Sequence, residues 1–542
     1  MDYASQLSNA RSAQTKRSRP DQVKNNAGGF VYEVTPLMQF RRFLILGSES
    51  GSYYAGSRDM TLDNVRVIDS MLAKGSGIEA VNEVVEVSQA GRAPKNDAAI
   101  FALAYLAVNG DEATKTAAYT AMPKVCRTGT HLFQWADAMK KLGSTLGSGG
   151  ARRAIASWYN DKPNEKLALQ VVKYKQRNGW SHRDVLRLGH VRPPARHSYD
   201  AKVRSDILTF AARPDGIDIP KGSAEELRLL YAARALQTAT TERQVLKLIQ
   251  DTKAPRELVP TQFLKSPAVW EALLEDMPVG AMVRNLGKMS AVGLLKPLSA
   301  AAKVVSDRLH NQEALVRSRL HPIQVLAALL TYQRGQGVRG SLTWTPVPTV
   351  QTALDDAFYL SFGSVKPSNK RTLIAVDVSG SMTWSEVNGV PGLTPFMAAG
   401  AMAMVAARTE SEYFVTAFSH SLQAVDVTAQ DRLDTVTRKL DAVSMGGTDC
   451  SAPMLYAKQQ GLDVDAFYVY TDNETWAGRV KPDKALRDYR RSSGNQDAKL
   501  IVAGMTATNF TIADPRDGGM LDVVGFDTNT PQLMADFARG DI

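Results

Sequence analysis

The pattern of apolar and polar positions changes character once along the chain. From about Leu62 to Leu330 apolar residues recur three and four apart between Gly, Pro, Asn and Asp breaks, as in Asp97 to Ala107, Ala224 to Leu236, Glu242 to Ile249 and Pro322 to Tyr332. That period puts one apolar stripe on each of a series of helices. Strand-like alternation is scarce there. Many helices joined by short turns predict an all-α solenoid, in which each helix buries its stripe on its neighbours, without a clean fixed-period repeat.

Between Gly335 and Asn369 turn residues surround one short helical patch, and the domain boundary is expected between 340 and 370. Beyond it short apolar runs at Thr372 to Val376, Glu412 to Ala417, Ala466 to Tyr470, Lys499 to Ala503 and Leu521 to Val524 alternate with helical segments. Those segments are Thr394 to Arg408, Asp431 to Leu440, Ser451 to Gln460 and Pro482 to Arg491. Alternation of this kind predicts a doubly wound α/β domain with a mainly parallel sheet and a ligand crevice at the carboxyl ends of its strands. Residues 1 to 28 are polar and read as a mobile arm, with order beginning near Phe30. The expected division is an arm over 1–28, a helical region over 29–365 and an α/β domain over 366–542.

A chain of 542 residues exceeds what one core usually holds, consistent with that division. No apolar run approaches the roughly 20 residues needed to cross a bilayer, and the polar N-terminal stretch has no secretory h-region, so a cytoplasmic protein without membrane contact is expected. Cys126 and Cys450 stand far apart with no CxxC or Cys/His cluster, so they read as reduced small hydrophobes. Charge changes the picture more. The net charge is +10, but residues 121–200 hold 15 Lys and Arg against 5 Asp and Glu, a surplus of 10, whereas residues 371–542 hold 15 against 22, a deficit of 7. A basic middle joined to an acidic end is the footprint of a polyanion partner for the middle.

Within that middle, KYKQRNGWSHRDVLRLGHVR at 173–192 is the densest stretch. Ser181 followed by Asp184 reads as a capping box that starts a helix near His182. On it Arg183, Arg187 and His190 share one face, while Val185, Leu186 and Leu188 supply the buried side. Lys173, Lys175 and Arg177 extend the stripe, and Tyr174 and Trp180 offer stacking surfaces of the kind single-stranded RNA uses. The same spacing also describes an ordinary solvated helix face with Trp180 in the core.

The α/β half carries a second constellation. In IAVDVSGSM an apolar run ends in Asp377, Ser379 and Ser381; MGGTDCS presents Thr448 after a glycine pair; and FYVYTDNET ends a second apolar run at Asp472. Two carboxylates and three hydroxyls on loops suit a hard cation such as Mg²⁺, with open positions for a partner's oxygens. Catalysis finds little support, since no His has the Ser, Cys or carboxylate neighbours of a nucleophile and base, and GSTLGSGG at 143–150 lacks the Lys-Ser/Thr ending of a phosphate loop.

The second constellation resembles the metal-ion-dependent adhesion loop of von Willebrand factor A domains. With RRFLILGSESGSYY at 41–54, VCRTGTHLF at 125–133, the 173–192 stretch and LHPIQVLAALLTYQRGQG at 320–337, most of the chain resembles the Ro autoantigen family, whose helical module is named for telomerase, Ro and vault proteins. The resemblance implies a monomeric ring of HEAT-like repeats closed by the A-type domain. It implies small noncoding Y RNA on the outer face and single-stranded 3′ ends of misfolded or decaying RNA in the cavity. It further implies Lys173, Arg177 and His190 as Y RNA contacts, with Arg127, His131 and Arg187 nearby, and a 3′ exoribonuclease such as polynucleotide phosphorylase as partner. Two rivals stay open on the residues alone. One is a metal-dependent protein-docking or assembly module whose helices are a spacer, and the other a nuclease using the Asp377/Asp472 metal.

Overall fold

The structure is a computed structural model that describes residues 13–47, 57–192, 198–318, 320–337, 341–362, 365–384, 386–387, 393–443, 446–525 and 527–541, with side chains from 65 onward in the second of these segments. Strands β1 (Gln22–Lys24) and β2 (Phe30–Glu33) pair antiparallel, Val23 facing Val31. β2 also pairs with Phe510–Thr511 of the C-terminal half. The mobile arm expected over 1–28 is therefore corrected for residues 13–28, which are docked on the α/β domain; residues 1–12 lie outside the described residues. A segment poor in apolar residues is held because its polar groups become hydrogen-bond partners of buried loops, as detailed below.

Helices follow from Pro36–Leu46 to Pro348–Leu360, each packed mainly on helices one to three places away in the chain. Most begin at the residue types that accept from the free N–H groups of a first turn: Thr35, Asp111, Thr128, Ser148, Ser198, Thr241, Ser266 and Ser299 all do so. Among the described residues the helices are interrupted by short 3₁₀ turns and by a hairpin of two-residue strands, β3 (Gln176–Arg177) and β4 (Trp180–Ser181). The series closes on itself. His321, at the start of helix Pro322–Arg334, donates from Nε2 to the Arg92 carbonyl at 2.9 Å, and Gln324 donates to the Pro94 carbonyl. Because late helices meet early ones across 229 residues of chain, the solenoid is a closed array.

The C-terminal half contains β5 (Thr372–Asp377), β6 (Tyr413–Phe418), β7 (Leu422–Ala424), β8 (Ala466–Thr471), β9 (Lys499–Gly504), β10 (Phe510–Thr511) and β11 (Met520–Val524). Six of them form one sheet in the order β11-β9-β8-β5-β6-β7, parallel except for β7 at the edge. Every residue of β5 and β8 is buried. Their alternate side chains enter two different layers: Ile374 and Val376 pack with helix Pro395–Thr409, whereas Leu373 and Ala375 pack with Ala452–Gln460 and Pro482–Ser493. That two-sided burial is why these strands read as continuous apolar runs. The antiparallel edge strand β7 was not expected from the sequence.

Two arginines tie the halves together. Arg42, fully buried, donates to the Thr508 and Phe510 carbonyls at 2.8 and 2.9 Å and pairs with both carboxylate oxygens of Asp522. Arg92 pairs with Asp527 and with Glu86. At the other end of the helical series, Asp355 accepts from the Leu433 amide at 3.4 Å.

Candidate nucleic-acid interface and metal centre

The basic stretch is built as a hairpin followed by a short capped helix. Asn178 and Gly179 both have positive φ, 52° and 76°, the signature of an Asn-Gly type I′ turn whose twist matches the strands it joins. The turn sets Arg177 opposite Trp180 and leaves Arg177 exposed. Helix His182–Gly189 begins with the expected capping box: the Ser181 hydroxyl accepts from the Asp184 amide, and the Asp184 carboxylate accepts from the Ser181 amide at 3.0 Å. Val185 is fully buried, while Arg183 and Arg187 project into solvent.

His182 anchors this helix. Its ring packs 4.8 Å from Phe133, and its Nδ1 lies 2.7 Å from the Tyr159 hydroxyl. Burial pulls its pKa down to about 4, so the imidazole is neutral near pH 7. The helix stops one residue before His190, which takes a left-handed conformation with φ 48°. His190 is therefore exposed at the helix end and not on the helix face that the spacing predicted.

The seven candidate RNA contacts divide in two. Arg177, Arg183, Arg187 and His190 are exposed, and none has a carboxylate partner among the described residues. The other three are recessed. Lys173 lies 3.6 Å from Glu257, Arg127 donates to the Ser88 hydroxyl at 2.8 Å, and His131 is mostly buried with an unpartnered Nδ1. Burial, with the charge of Arg127 added, brings the His131 pKa down to about 4. A side chain on Gly129 would strike Tyr174 and His182, so the start of helix Gly129–Lys141 packs directly against this stretch. Lys140, from a neighbouring helix, lies 5.9 Å from the Trp180 ring. No sequence signal linked Lys140 to this face.

The metal candidates gather at the carboxyl ends of β5 and β8. Asp377, Ser379, Ser381, Thr448 and Asp472 are all buried, and the Ser379 and Ser381 hydroxyls are 3.1 Å apart. Asp377 accepts from the Ser379 amide at 2.9 Å and from the Thr471 hydroxyl at 2.6 Å; Asp472 accepts from the Glu474 amide at 3.0 Å. No lysine or arginine pairs with either carboxylate among the described residues. Burial first, and then the neighbouring Asp472 charge, push the Asp377 pKa up to about 7, and burial raises Asp472 as well. The Thr448 hydroxyl oxygen is buried without a partner.

Two buried carboxylates without a balancing charge and an orphaned hydroxyl fit a hard cation held by oxygens. No group of three or more His, Cys, Asp or Glu converges among the described residues, so hydroxyls must supply the rest of such a shell. That composition leaves coordination open to an incoming oxygen ligand. It offers little for a two-metal nuclease, which needs more bridging carboxylates.

The N-terminal segment holds these loops from behind. Gln14, fully buried, donates from Nε2 to Asp449 at 2.7 Å and to the Val480 carbonyl at 2.8 Å, and its Oε1 accepts from the Thr475 hydroxyl. Asn26 donates to Glu474 at 2.8 Å, and the Ala27 amide donates to its other oxygen at 2.9 Å. Asn25 reaches the carbonyls of Asn473 and Thr475. A side chain on Gly29 would lie 1.9 Å from the Thr475 carbonyl oxygen, so only glycine allows this approach. The loops bearing Thr448 and Asp472 are thus fixed by residues more than 400 positions earlier.

A closed array of stacked helices clasped to a doubly wound domain with an oxygen-lined loop crevice defines a class: a TROVE module joined to a von Willebrand factor A domain. The TROVE domain model matches residues 23–254 and 244–331, and the Ro60 vWA domain model matches residues 371–538. The chain belongs to the Ro60 family. It is 42% identical over 534 residues to the RNA-binding protein RO60 of Deinococcus radiodurans, covering 98% of this chain and 97% of that one. It is 37% identical to the RNA-binding protein RO60 of Caenorhabditis elegans, over 98% of this chain and 92% of that one. The crystal structure of the Deinococcus radiodurans RO (RSR) protein superposes with a TM-score of 0.69 at 41% identity, covering 94% of this chain and 100% of that one.

Proposed function

We propose that this protein is a cytoplasmic, non-catalytic RNA-binding scaffold whose basic helical face holds small structured Y RNA. In this reading the cavity of the closed array accepts single-stranded 3′ ends of misfolded or decaying RNA, for RNA quality control. One observation carries it: Arg177, Arg183, Arg187 and His190 stand exposed and unneutralised on one hairpin and helix, in a segment with a surplus of 10 positive charges. Cations kept apart from carboxylates at this density are suited to phosphate contact. The RNA-binding relatives support the same reading. Lys173, Arg127 and His131 lie just behind the exposed group and serve it better as supports than as first contacts.

The A-type domain adds a Mg²⁺-dependent dock for a protein ligand. Asp377, Ser379, Ser381, Thr448 and Asp472 would hold the ion, which when bound supplies an open coordination position for a partner's carboxylate. A 3′ exoribonuclease such as polynucleotide phosphorylase fits the scaffold role, with the protein acting as a monomeric ring. The test is to purify the chain at low salt and sequence the RNA that accompanies it, then measure affinity for that RNA against salt. If about six phosphates are contacted, affinity falls by orders of magnitude between low and moderate salt. Charge reversal at Arg183, Arg187 and His190 is expected to abolish binding with unchanged far-UV circular dichroism. Unaltered binding would return this helix to a plain solvated face.

A further inference from the structure

Beside the closure of the helical array, where Pro94 meets Gln324, lies a cavity of about 440 Å³. Its walls come from helices Val279–Ala291 and Pro322–Arg334 and from Trp344. The indole is pinned. Its Nε1 donates to the Tyr332 carbonyl at 3.1 Å, and its ring lies 6.1 Å from the buried Tyr332 ring at 25°, nearly parallel. A side chain on Gly287 would meet that ring at 2.8 Å, so glycine lets the indole lie against the helix. Trp344 nevertheless remains partly exposed, toward the cavity.

The rest of the lining gives the ligand its class. Aliphatic groups of Val283, Leu286, Ala327 and Ala328 make the interior apolar, and no Asp or Glu contributes. Arg284 and Lys288 stand one helical turn apart, so they are neighbours on one face, and neither has a carboxylate partner among the described residues. Thr331 and Gln324 supply two polar groups at the wall. An aromatic plane, an aliphatic slot, a few polar groups and two unneutralised cations match a planar base attached to phosphate. An uncharged apolar ligand would leave both cations unused. Arg284 also lies within electrostatic reach of Tyr174 in the basic stretch.

We infer that this seam cavity is a pocket for a single unpaired RNA nucleotide, its base stacked on Trp344 and its flanking phosphates held by Arg284 and Lys288. The inference rests on the RNA-binding reading and adds a site for it. A base still paired in a duplex cannot enter, so the pocket recognises only single-stranded segments.

The experiment uses the full chain with two probes, a short single-stranded RNA carrying 4-thiouridine and a blunt-ended hairpin without unpaired tails. The expected result is a photocrosslink in the peptide holding Tyr332 or Trp344. Filling the cavity with Ala327→Phe, or reversing charge with Lys288→Glu, should weaken single-strand binding on the order of tenfold and leave hairpin affinity unchanged. Should Ala327→Phe fail to fold, Lys288→Glu decides alone. Wild type that binds both probes but crosslinks elsewhere, or variants that bind the single strand as wild type does, would overturn the pocket. Wild type that binds neither probe would instead overturn the RNA-binding reading itself.

Discussion

Gln14→Ala probes the clasp between the N-terminal segment and the metal loops. The side chain makes three buried hydrogen bonds, to Asp449, the Val480 carbonyl and the Thr475 hydroxyl. Alanine removes all three and leaves the Asp449 carboxylate, among the described residues, with its contacts to Ser451. Taking about 1 kcal/mol for each neutral bond and about 2 kcal/mol for the bond to the carboxylate gives a loss of about 4 kcal/mol. Water entering the vacated space reduces that to about 2–3 kcal/mol. Two assays read it: urea unfolding of the A-type domain followed by near-UV circular dichroism, and the rate of proteolytic cutting within residues 13–30. The midpoint should fall and cutting should accelerate. Gln14→Glu should do worse than alanine, because it sets a second carboxylate against Asp449. An alanine variant within about 0.5 kcal/mol of wild type, cut no faster, would refute the argument that polar burial replaces apolar burial in this segment.

Further outcomes follow from the same geometry. His182 and His131 are held neutral with pKa values near 4, against about 6.5 in an unfolded chain. Between those values the unfolded state binds more protons, so stability should fall as pH drops from about 6.5 toward 4 by up to ~1.4 kcal/mol per pH unit for each histidine, visible as a falling melting temperature. Asp377→Asn removes a buried charge whose pKa is pushed up to about 7, so in chelator at pH 8 it should melt higher than wild type. The same variant should lose any Mg²⁺-induced rise in melting temperature, and a rise equal to that of wild type would count against the cation site. Arg92→Ala strips Asp527 of its buried partner and should cost about 3–5 kcal/mol, seen as loosening of the helical array from the A-type domain by hydrogen exchange.

Much of the architecture was legible in the chain. The helices Asp97–Asn109, Glu242–Thr252 and Pro322–Arg334 and the strands β5, β6, β8, β9 and β11 fall within two or three residues of where apolar period and flanking caps put them. They were readable because each is amphipathic or two-sidedly buried, and local sequence records that burial directly. The Ser181 capping box was equally local. β7 was missed because a three-residue edge strand with two exposed positions carries no such record. The β3–β4 hairpin had an Asn-Gly signal, but its strands are too short for alternation.

The sequence by itself determined the longer helices and the buried strands, where the basic surplus lies and which residues present oxygens at strand ends, since these depend on neighbours within a few positions. Only the tertiary structure decided which cations stay exposed and which are drawn inward, because Glu257 and Ser88, the partners of Lys173 and Arg127, lie 84 and 39 residues away. It also decided that a polar N-terminal segment is ordered. Gln14, Asn25 and Asn26 carry no apolar pattern, and what holds them is the set of unsatisfied groups on the loops around Asp449 and Asp472 that the folded chain brings against them.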